Sequence, residues 1–195
     1  MCGEKFNLAM LGGLALTSVC DRIGISNEML GFTTLTRDSR VNQMSQLRSE
    51  VIDNDTHGIF SRFEPLYIPI YKDFSERTTT AVKRRIGDAV GWQSYFAASN
   101  IDGESVEIAA TRLLRRPETE KYLIVLSDGY PAGNGCGLNQ HLKDTVLECE
   151  RRGIHTFGIG IFSDAVRNYY PEYQLVNDID ELPTAMLNFL KRKMA

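Results

Sequence analysis

A short apolar run that ends in an acidic turn constrains the fold of this chain more than any other feature. Residues 122–126 read Tyr-Leu-Ile-Val-Leu, and Ser127-Asp128-Gly129 follows at once. Continuous apolar runs of this length are typical of strands that are buried on both faces of a parallel sheet. Ligand crevices in open α/β sheets lie at the carboxyl ends of such strands, which is where Asp128 stands. Its carboxylate oxygens suit Mg²⁺, directly or through water, although the simpler interpretation of this motif alone is an Asp that caps a loop.

The composition predicts one globular domain with no general affinity for nucleic acid or membranes. The chain has 195 residues, of which 43% are hydrophobic, and this is enough for a real core. The formal net charge is only −3, so it provides no overall attraction to either kind of anionic partner. The basic clusters lie near predicted helix ends, where cations complement the helix dipole. We therefore expect no nucleic-acid partner and no membrane partner.

The cysteines and the amino-terminal segment predict a cytoplasmic protein. The cysteines lack the spacing of a disulfide framework, and we interpret them as reduced thiols: Cys2, Cys20, Cys136 and Cys149. Residues 8–19 are apolar enough to imitate a signal sequence, but acidic residues flank them and no small-residue cleavage site follows. A largely buried helix is the better interpretation of that segment.

The order of hydrophobic patterns predicts alternating helices and strands in the second half of the chain. From Glu104 onward the pattern is helix, strand, helix, strand, helix, and right-handed crossovers then give a parallel sheet with helices on both faces. Pro65 and Pro69 make residues 65–71 an edge strand, because proline cannot donate to a ladder. Residues 36–63 are polar and predict a surface excursion. The predicted helices are 6–23, 75–91, 104–116, 138–152, 164–170 and 178–191, and the other predicted strands are 28–34, 122–126, 154–162 and 174–176.

Two pairs of glycines predict close packing inside these elements. Gly12 and Gly13 lie within a helix, where each costs about 1 kcal/mol of helix propensity. A close-packed neighbour would explain that cost. Gly158 and Gly160 interrupt a buried strand, where they let a helix or a ligand loop approach closely.

Four short motifs, in this order and spacing, carry a resemblance to a known family. They are residues 30–34 (Leu-Gly-Phe-Thr-Thr), 100–104 (Asn-Ile-Asp-Gly-Glu), 112–118 (Arg-Leu-Leu-Arg-Arg-Pro-Glu) and 126–131 (Leu-Ser-Asp-Gly-Tyr-Pro). Together they resemble a von Willebrand factor A-type (vWA) domain, and look closest to the C-terminal domain of the cobaltochelatase T subunit (CobT). The resemblance implies a three-layer α/β fold with a mostly parallel, doubly wound sheet. It covers nearly the whole chain, so we expect one vWA-like domain over residues 1–195.

Domains of this family carry a metal-ion-dependent adhesion site with three contributions, one of which is absent here. The family's Asp-x-Ser-x-Ser, at the end of the first, central strand, has no counterpart, and residues 1–5 resemble the junction that follows it. Asp128 matches the family's metal-site Asp. Asn100 is the best match to the loop ligand, with Asp102 as its rival. The resemblance therefore implies an incomplete metal site that involves Asp128, Asn100 and Asp102.

The resemblance also implies that the domain is truncated at its amino terminus and lacks its first, central strand. We favour a fragment that starts at an internal Met1 over half of a split gene or a degenerate copy. The strands on either side, residues 28–34 and 122–126, would then either pair directly or expose open edges and apolar faces. Because Mg²⁺ prefers six oxygen ligands, we expect the ion in a complete homologue and none in this chain alone. Asp128→Ala should therefore leave the response of this chain to Mg²⁺ unchanged.

The function implied by the resemblance is that of a non-catalytic adaptor. In the CobT family such a domain couples an AAA+ ATPase subunit to a large chelatase subunit that inserts cobalt during cobalamin synthesis. A carboxylate of the partner would complete the metal site. The chain contains no Gly-x-x-x-x-Gly-Lys-Ser/Thr motif, so we do not expect it to hydrolyse ATP. An interaction module of another, MoxR-type AAA+ machine is the alternative.

Two other functions have weaker support in the sequence. A hydrolase would need a metal or nucleophile site, and the side chains available for it are Cys136, His141, Cys149 and His155, whose spacing fits no zinc pattern. A nucleotide binder would need a phosphate loop. Residues 158–160 (Gly-Ile-Gly) lie inside a strand rather than after one, and residues 133–137 (Gly-Asn-Gly-Cys-Gly) are better placed to cradle an anion but more simply form a surface loop.

Overall fold

The computed structural model describes residues 3–35, 60–62, 64–96, 98–178 and 181–194. Within them the helices are α1 (Glu4–Arg22), α2 (Thr80–Phe96), α3 (Asp102–Leu114), α4 (Leu138–Arg151) and α5 (Leu182–Met194). The strands are β1 (Met29–Leu30), β2 (Thr33–Thr34), β3 (Ser61–Arg62), β4 (Leu66–Tyr67), β5 (Ile70–Lys72), β6 (Lys121–Ser127), β7 (Gly135–Cys136), β8 (Ile154–Ile161) and β9 (Glu172–Val176). The predicted alternation of helices and strands in the second half of the chain is confirmed.

The carboxyl-terminal half is built around one parallel sheet. Its strand order is β6-β8-β9, and the ladders begin with Lys121 opposite Ile154 and with Phe157 opposite Glu172. Helices α3 and α4 pack on one face of this sheet, and α1 and α5 pack on the other. Two helix layers with a sheet between them confirm the predicted three-layer α/β fold.

The alternation of side chains along β8 explains how both faces of the sheet are filled. Phe157 points toward α5 and stacks on Phe189, with 4.2 Å between the ring centroids. Gly158 and Gly160 lie on the opposite face, and a Cβ on Gly158 would meet the ring of Tyr170 at 2.4 Å. The close approach predicted at these glycines is therefore confirmed, and the approaching group at Gly158 is the buried Tyr170 of this chain.

Both glycines of α1 also sit under close neighbours. A Cβ on Gly12 would lie 2.6 Å from a methyl carbon of Leu182 in α5. A Cβ on Gly13 would lie 2.6 Å from the terminal methyl of Met29. The helix therefore approaches α5 and β1 more closely than any residue with a side chain would allow, as the sequence predicted.

The amino-terminal half contains only short antiparallel ladders. Strand β1 pairs with β5, and β2 pairs with β4, so the strand predicted at residues 28–34 is broken in the middle. At the break, the amide of Gly31 donates to the carbonyl oxygen of Pro69 at 2.9 Å. The predicted edge strand at residues 65–71 is present as β4 and β5, with its prolines outside the strands.

One short ladder joins the two halves, in which Ser61 and Arg62 of β3 pair with Cys136 and Gly135 of β7. Within the described residues, no ladder joins β1 or β2 to β6. The three-stranded sheet ends at β6, whose strand partner is β8. Strands β1 and β2 pair on their other sides with β5 and β4. The direct pairing predicted between residues 28–34 and residues 122–126 is therefore wrong for the part of the chain that the structure describes.

The start of α2 differs from the prediction for a specific reason. Thr78 was expected inside the helix, but its hydroxyl and its amide both donate to Asp21 at the end of α1. Ser75 instead closes a turn on Asp73. The helix therefore begins at Thr80 and runs on to Phe96, five residues past its predicted end at residue 91.

Two smaller predictions were made on other segments. The short helix predicted at residues 164–170 is a 3₁₀ turn over Ala165–Asn168. Most of the polar excursion predicted at residues 36–63, including His57, lies outside the described residues, as does Cys2. Across the part of the chain that is described, no helix combines the length and the apolar character that crossing a membrane requires.

Candidate functional site

Asp128 lies at the carboxyl edge of the parallel sheet, in the turn that follows β6. The hydroxyl of Ser127 donates to the carbonyl oxygen of Gly129 at 3.1 Å, which holds this turn closed. The side chain of Asp128 is 24% exposed, and one of its oxygens lies 3.8 Å from Nζ of Lys5 in the first turn of α1. The carboxylate is therefore accessible and is partly neutralised by a lysine.

Asn100 is held beside this turn by backbone and side-chain hydrogen bonds. Its amide and carbonyl pair with Ala132 in an isolated antiparallel bridge, at 2.8 and 2.9 Å. Its Nδ2 donates to Oδ2 of Asp102 at 2.6 Å and to the carbonyl oxygen of Tyr130 at 3.2 Å. The loop before α3 is therefore fixed to the loop after β6, although the two are about thirty residues apart in sequence.

Asp102 is the first residue of α3, and its carboxyl group is only 2% exposed. Burial, with a smaller contribution from the negative charge of Asp128, raises the pKa of Asp102 to about 7. The hydrogen bond from Asn100 acts in the opposite direction, since it favours the ionised form. Asn100 therefore links the carboxyl group of Asp102 to the loop that follows Asp128.

These three side chains suit a hard cation but do not surround one. Carboxylate and amide oxygens are the donors that Mg²⁺ prefers, and a cation would relieve the repulsion between Asp102 and Asp128. Among the described residues, no group of three His, Cys, Asp or Glu side chains is arranged to hold a metal ion. The fold thus supplies at most three side-chain donors from the predicted set, about half of what Mg²⁺ requires.

An exposed aromatic rim beside this site was not foreseen from the sequence. Tyr130 is 56% exposed and Phe162 is 47% exposed. Phe162 has a φ of 52°, which is rare for a bulky residue, and its amide donates to the carbonyl oxygen of Val176 at 2.9 Å. Nζ of Lys5, which contacts Asp128, lies 5.8 Å from the Phe162 ring centroid. From the sequence, Phe162 was predicted to be the last residue of a buried strand. The strand ends one residue earlier, and nothing in the apolar run distinguishes Phe162 from the residues before it.

The Cys and His residues considered for a hydrolase serve as packing and surface groups. Cys149 is buried in the core, and burial raises the pKa of its thiol to about 11, so it is not a thiolate nucleophile. The ring of His141 stacks on Phe60 with 3.8 Å between centroids. His155 lies 3.6 Å from the carboxylate of Glu120 at the surface.

The two candidate phosphate loops are occupied by groups of the protein itself. The space beside Gly158 and Gly160 is taken by Tyr170 and by the backbone of Ser163. In the loop before α4, the amide of Asn134 donates to the buried carboxylate of Glu64 at 2.7 Å. The anion that this second loop binds is therefore an intramolecular carboxylate.

The comparison with known families agrees with this architecture. Residues 1–195 match the family described as the Cobalamin biosynthesis protein CobT VWA domain. A relative in Bacillus subtilis (strain 168), named Uncharacterized protein YojO, is 29% identical over 149 residues, which cover 71% of this chain and 23% of that protein. The chain thus spans about a quarter of the length of this relative. Because the family match extends over every residue, the chain belongs to the CobT VWA domain family.

Proposed function

We propose that this chain is a non-catalytic adaptor domain that docks on an AAA+ ATPase subunit through a shared Mg²⁺ ion. Membership of the CobT family gives the chain a cobaltochelatase-related role in cobalamin biosynthesis. The docking mechanism, the ion and the partner go further than the family and are our proposal. The observation that supports them is the cluster of Asp128, Asn100 and Asp102 at an accessible edge of the sheet.

Each of the three residues has a distinct role in this proposal. Asp128 is the accessible carboxylate, which meets the ion directly or through water. Asp102 is the buried carboxylate, whose raised pKa leaves it partly protonated near neutral pH until a cation favours the ionised form. Asn100 fixes the loop between them, and its amide oxygen is available as a further ligand. The remaining positions around the ion go to water and to a carboxylate of the partner.

The proposed partner is the AAA+ ATPase subunit of a cobaltochelatase-like complex, with a large chelatase subunit as a second partner. We place this complex in the cytoplasm and expect neither nucleic acid nor a membrane to take part. A MoxR-type ATPase is the alternative partner, since a vWA adaptor of another AAA+ machine would use the same edge of the sheet. In either case the ATPase hydrolyses the nucleotide, and this chain couples the ATPase to its client.

The proposal is tested by binding purified ATPase subunits to the immobilised chain, with and without Mg²⁺. Asp128→Asn keeps the size of the side chain and removes its charge, so we expect it to weaken Mg²⁺-dependent binding about tenfold. The matched control is Asp164→Asn, since Asp164 also follows a parallel strand at this edge, and its 3.6 Å ion pair with Arg167 is exposed. The control should bind as tightly as the unmodified chain.

Comparison of the two ATPase types decides between the partners. Selective binding of the cobaltochelatase-type subunit supports the chelatase role, and selective binding of the MoxR-type subunit transfers the adaptor to another machine. Equal binding by Asp128→Asn and Asp164→Asn would show that the cluster is not the docking site. Mg²⁺ alone, without a partner, should leave the melting temperature unchanged, because this chain provides too few ligands.

A further inference from the structure

Phe162 stands at a backbone position that favours glycine. Its φ of 52° lies in the left-handed region, which bulky residues rarely adopt. This conformation turns the chain back over β8, since a Cβ on Gly160 would collide with the carbonyl oxygen of Ser163. Glycine would form the same turn without steric cost, so the turn itself gives no reason for a phenylalanine here.

Packing does not explain the ring of Phe162 either. The residue is 47% exposed, whereas Ile161 immediately before it is only 2% exposed. An aromatic ring stabilises a fold through the area that it buries, and about half of this residue remains in solvent. Strained backbone conformations cluster at sites that bind ligands or partners. A half-exposed phenylalanine in such a conformation therefore indicates a role in binding.

The Phe162 ring lies close to a cation that this chain itself supplies. Nζ of Lys5 lies 5.8 Å from the ring centroid, which is within the range of a cation–π contact. The same Nζ lies 3.8 Å from Oδ2 of Asp128. The ring of Phe162 and the carboxylate of Asp128 together thus form a site for a positive charge, the Phe162–Asp128 site.

The two residues of this site are held at neighbouring strand ends. Strands β6 and β8 pair in parallel up to Ser127 opposite Gly160, and Asp128 and Phe162 follow closely on these two strands. The amide of Phe162 donates to the carbonyl oxygen of Val176 at 2.9 Å, which ties the turn to β9 as well. Backbone hydrogen bonds therefore fix both residues, and the site is preorganised for a ligand.

Lys5 is a weak occupant of the Phe162–Asp128 site. Its side chain is 37% exposed, and 3.8 Å is long for a charged hydrogen bond. An ammonium group is compact and strongly hydrated. A guanidinium group is planar and more weakly hydrated, stacks on aromatic faces and can bond to a carboxylate through two N–H groups. An arginine side chain therefore suits this site better than the lysine that lies beside it.

A second exposed ring, that of Tyr130, lies two residues after Asp128 and is also held in place. The ring of Tyr169 meets it edge-on, with 6.3 Å between the centroids, and Nδ2 of Asn168 donates to its hydroxyl oxygen at 3.5 Å. Fixed aromatic side chains are frequent anchors of protein interfaces, because little side-chain entropy is lost when a partner covers them. The surroundings thus favour an arginine that belongs to a protein surface.

We propose that the Phe162–Asp128 site binds an arginine side chain of a partner protein. The guanidinium stacks on the ring of Phe162 and takes the place of the Lys5 ammonium beside Asp128, while Lys5 turns out to solvent. Tyr130 covers apolar atoms of the same partner segment. An ionised carboxylate accepts several contacts at once, so this contact neither needs a metal ion nor excludes one. Only the identity of the partner, the AAA+ ATPase subunit, rests on the proposed function.

The first test uses the capped tripeptide acetyl-Gly-Arg-Gly-amide, titrated into the full chain in the presence of EDTA. Chemical shifts of the backbone amides of Asp128 and residues 161–163 report its binding. We expect Phe162→Leu to weaken binding about threefold, because it keeps an apolar side chain but removes the aromatic face. Lys5→Met should strengthen binding about threefold, because it removes the competing ammonium group. The matched peptide acetyl-Gly-Leu-Gly-amide should leave these shifts unchanged.

The second test separates docking from stability. Phe162→Gly removes the ring and relieves the backbone, so the melting temperature should stay the same or rise. Binding of the immobilised chain to the ATPase subunit should nevertheless weaken about tenfold. The matched control is Tyr173→Ala, since Tyr173 is 45% exposed and lies within β9, away from the turn that carries Phe162. The control should bind the ATPase as tightly as the unmodified chain.

Three results would overturn the proposal. They are equal shifts with the arginine and leucine peptides, no change of peptide binding in Phe162→Leu and Lys5→Met, and a melting temperature of Phe162→Gly that falls by several degrees, which would make the ring part of the fold. Failure of the docking experiment with Asp128→Asn would leave the peptide result untouched, because the peptide test contains neither the metal nor the ATPase. The two proposals can therefore fail separately.

Discussion

The two halves of this domain contain strands of very different length. In the carboxyl-terminal half, β6 has seven residues and β8 has eight, and their parallel ladder has no break. In the amino-terminal half, β1 and β2 have two residues each, and their partners belong to an antiparallel edge. The comparison shows that the long strands belong to the ladder in which β8 has neighbours on both sides, whereas β1 and β2 each pair with one short strand among the described residues.

The two halves are joined by the β3–β7 ladder, by helix packing and by ion pairs, which include Arg62 with Glu104 and a network around Arg112. Arg112 of α3 donates to both oxygens of Glu28, just before β1, at 2.8 and 2.6 Å. The same guanidinium donates to Asp73, just after β5, at 3.1 Å. The position of the amino-terminal half against α3 therefore depends on a bidentate charged contact as well as on apolar packing.

The largest expected difference between the halves comes from the same substitution made in each core. Ile159 of β8 is 0% exposed and Ile86 of α2 is 2% exposed. We expect Ile159→Ala to cost about 4 kcal/mol of the free energy of unfolding and Ile86→Ala about 2 kcal/mol. Strands on both sides of β8 prevent collapse around the cavity, whereas the small cluster of Met10, Val82 and Ile86 is bordered by partly buried side chains that can relax into the space.

Urea denaturation of both variants measures this difference directly. Equal costs would show that the amino-terminal half is packed as rigidly as the parallel sheet, and the comparison between the halves would then fail. A smaller m-value for Ile86→Ala would indicate that the amino-terminal half separates before the rest of the domain unfolds.

The second prediction breaks the contact between the halves. The side chain of Glu28 is only 4% exposed, so Arg112→Ala leaves a buried carboxylate without its main cation. Arg112 itself is 32% exposed, which moderates the effect, and we expect a loss of about 2 kcal/mol. The control is Arg84→Ala, since the Arg84–Asp88 pair is exposed and should contribute less than about 0.5 kcal/mol. Thermal unfolding of both variants checks the ratio, and a loss that is no larger than that of the control would contradict the prediction.

The carboxyl-terminal half could be predicted well from the sequence because its signals are local and repeated. The apolar run before Asp128 and the alternation along β8 each specify a buried strand, and Gly153 marks the end of the helix between them. The amino-terminal half was harder to predict, because its apolar pattern is typical of strands that pair with a further neighbouring strand. Residues 28–34 were predicted as one strand, yet they form two. The register between β1 and β5 shifts between Met29 and Leu30, and Gly31 then bonds to the carbonyl oxygen of Pro69 outside any ladder.

The candidate site was predicted as a set of residues but not as a geometry. Asp128 follows directly from the end of an apolar run, and Asn100 and Asp102 follow from the family resemblance. The bridge between Asn100 and Ala132 joins two loops that are distant in sequence, so no local pattern contains it. The deep burial of Asp102 has the same origin, since the covering groups come from tertiary packing. Whether these residues bind a metal stays a prediction.

The third prediction concerns Asp102, the buried residue that accepts a hydrogen bond from Asn100 in the candidate site. Its pKa in the folded chain is about 7, above its usual value of 3.8, so the folded state holds a proton that the unfolded state loses at lower pH. The stability of the chain should therefore fall as the pH rises from about 4 to about 7 and stay reduced above that range. The pKa shift sets an upper limit of about 4 kcal/mol on the stability that Asp102→Asn can gain at pH 8. Burying the amide that replaces the carboxyl group has its own cost, which reduces the expected gain to about 1.5 kcal/mol.

The measurement is denaturation of Asp102→Asn and of the unmodified chain, without metal, at pH 4 and at pH 8. The variant should be more stable only at pH 8, because at pH 4 Asp102 is neutral in the folded state and only partly ionised in the unfolded state, so its ionisation costs little stability there. An equal gain at both values would show that the effect is steric. A loss at pH 8 would show that the carboxylate is stabilised in the fold, against the direction of its pKa.

The prediction with the smallest expected effect tests how closely other groups pack around α2 at Gly87. Nothing lies within 4 Å of a Cβ added to Gly87, so Gly87→Ala should stabilise the chain by about 0.7 kcal/mol through helix propensity alone. Gly158→Ala provides the opposite case in the parallel sheet, because its Cβ would meet Tyr170 at 2.4 Å and should destabilise the chain. Thermal unfolding of both variants gives the two signs. A loss of stability in Gly87→Ala would mean that α2 packs against a surface closer than its open surroundings indicate, and the amino-terminal half would then be more tightly covered than the short ladders imply.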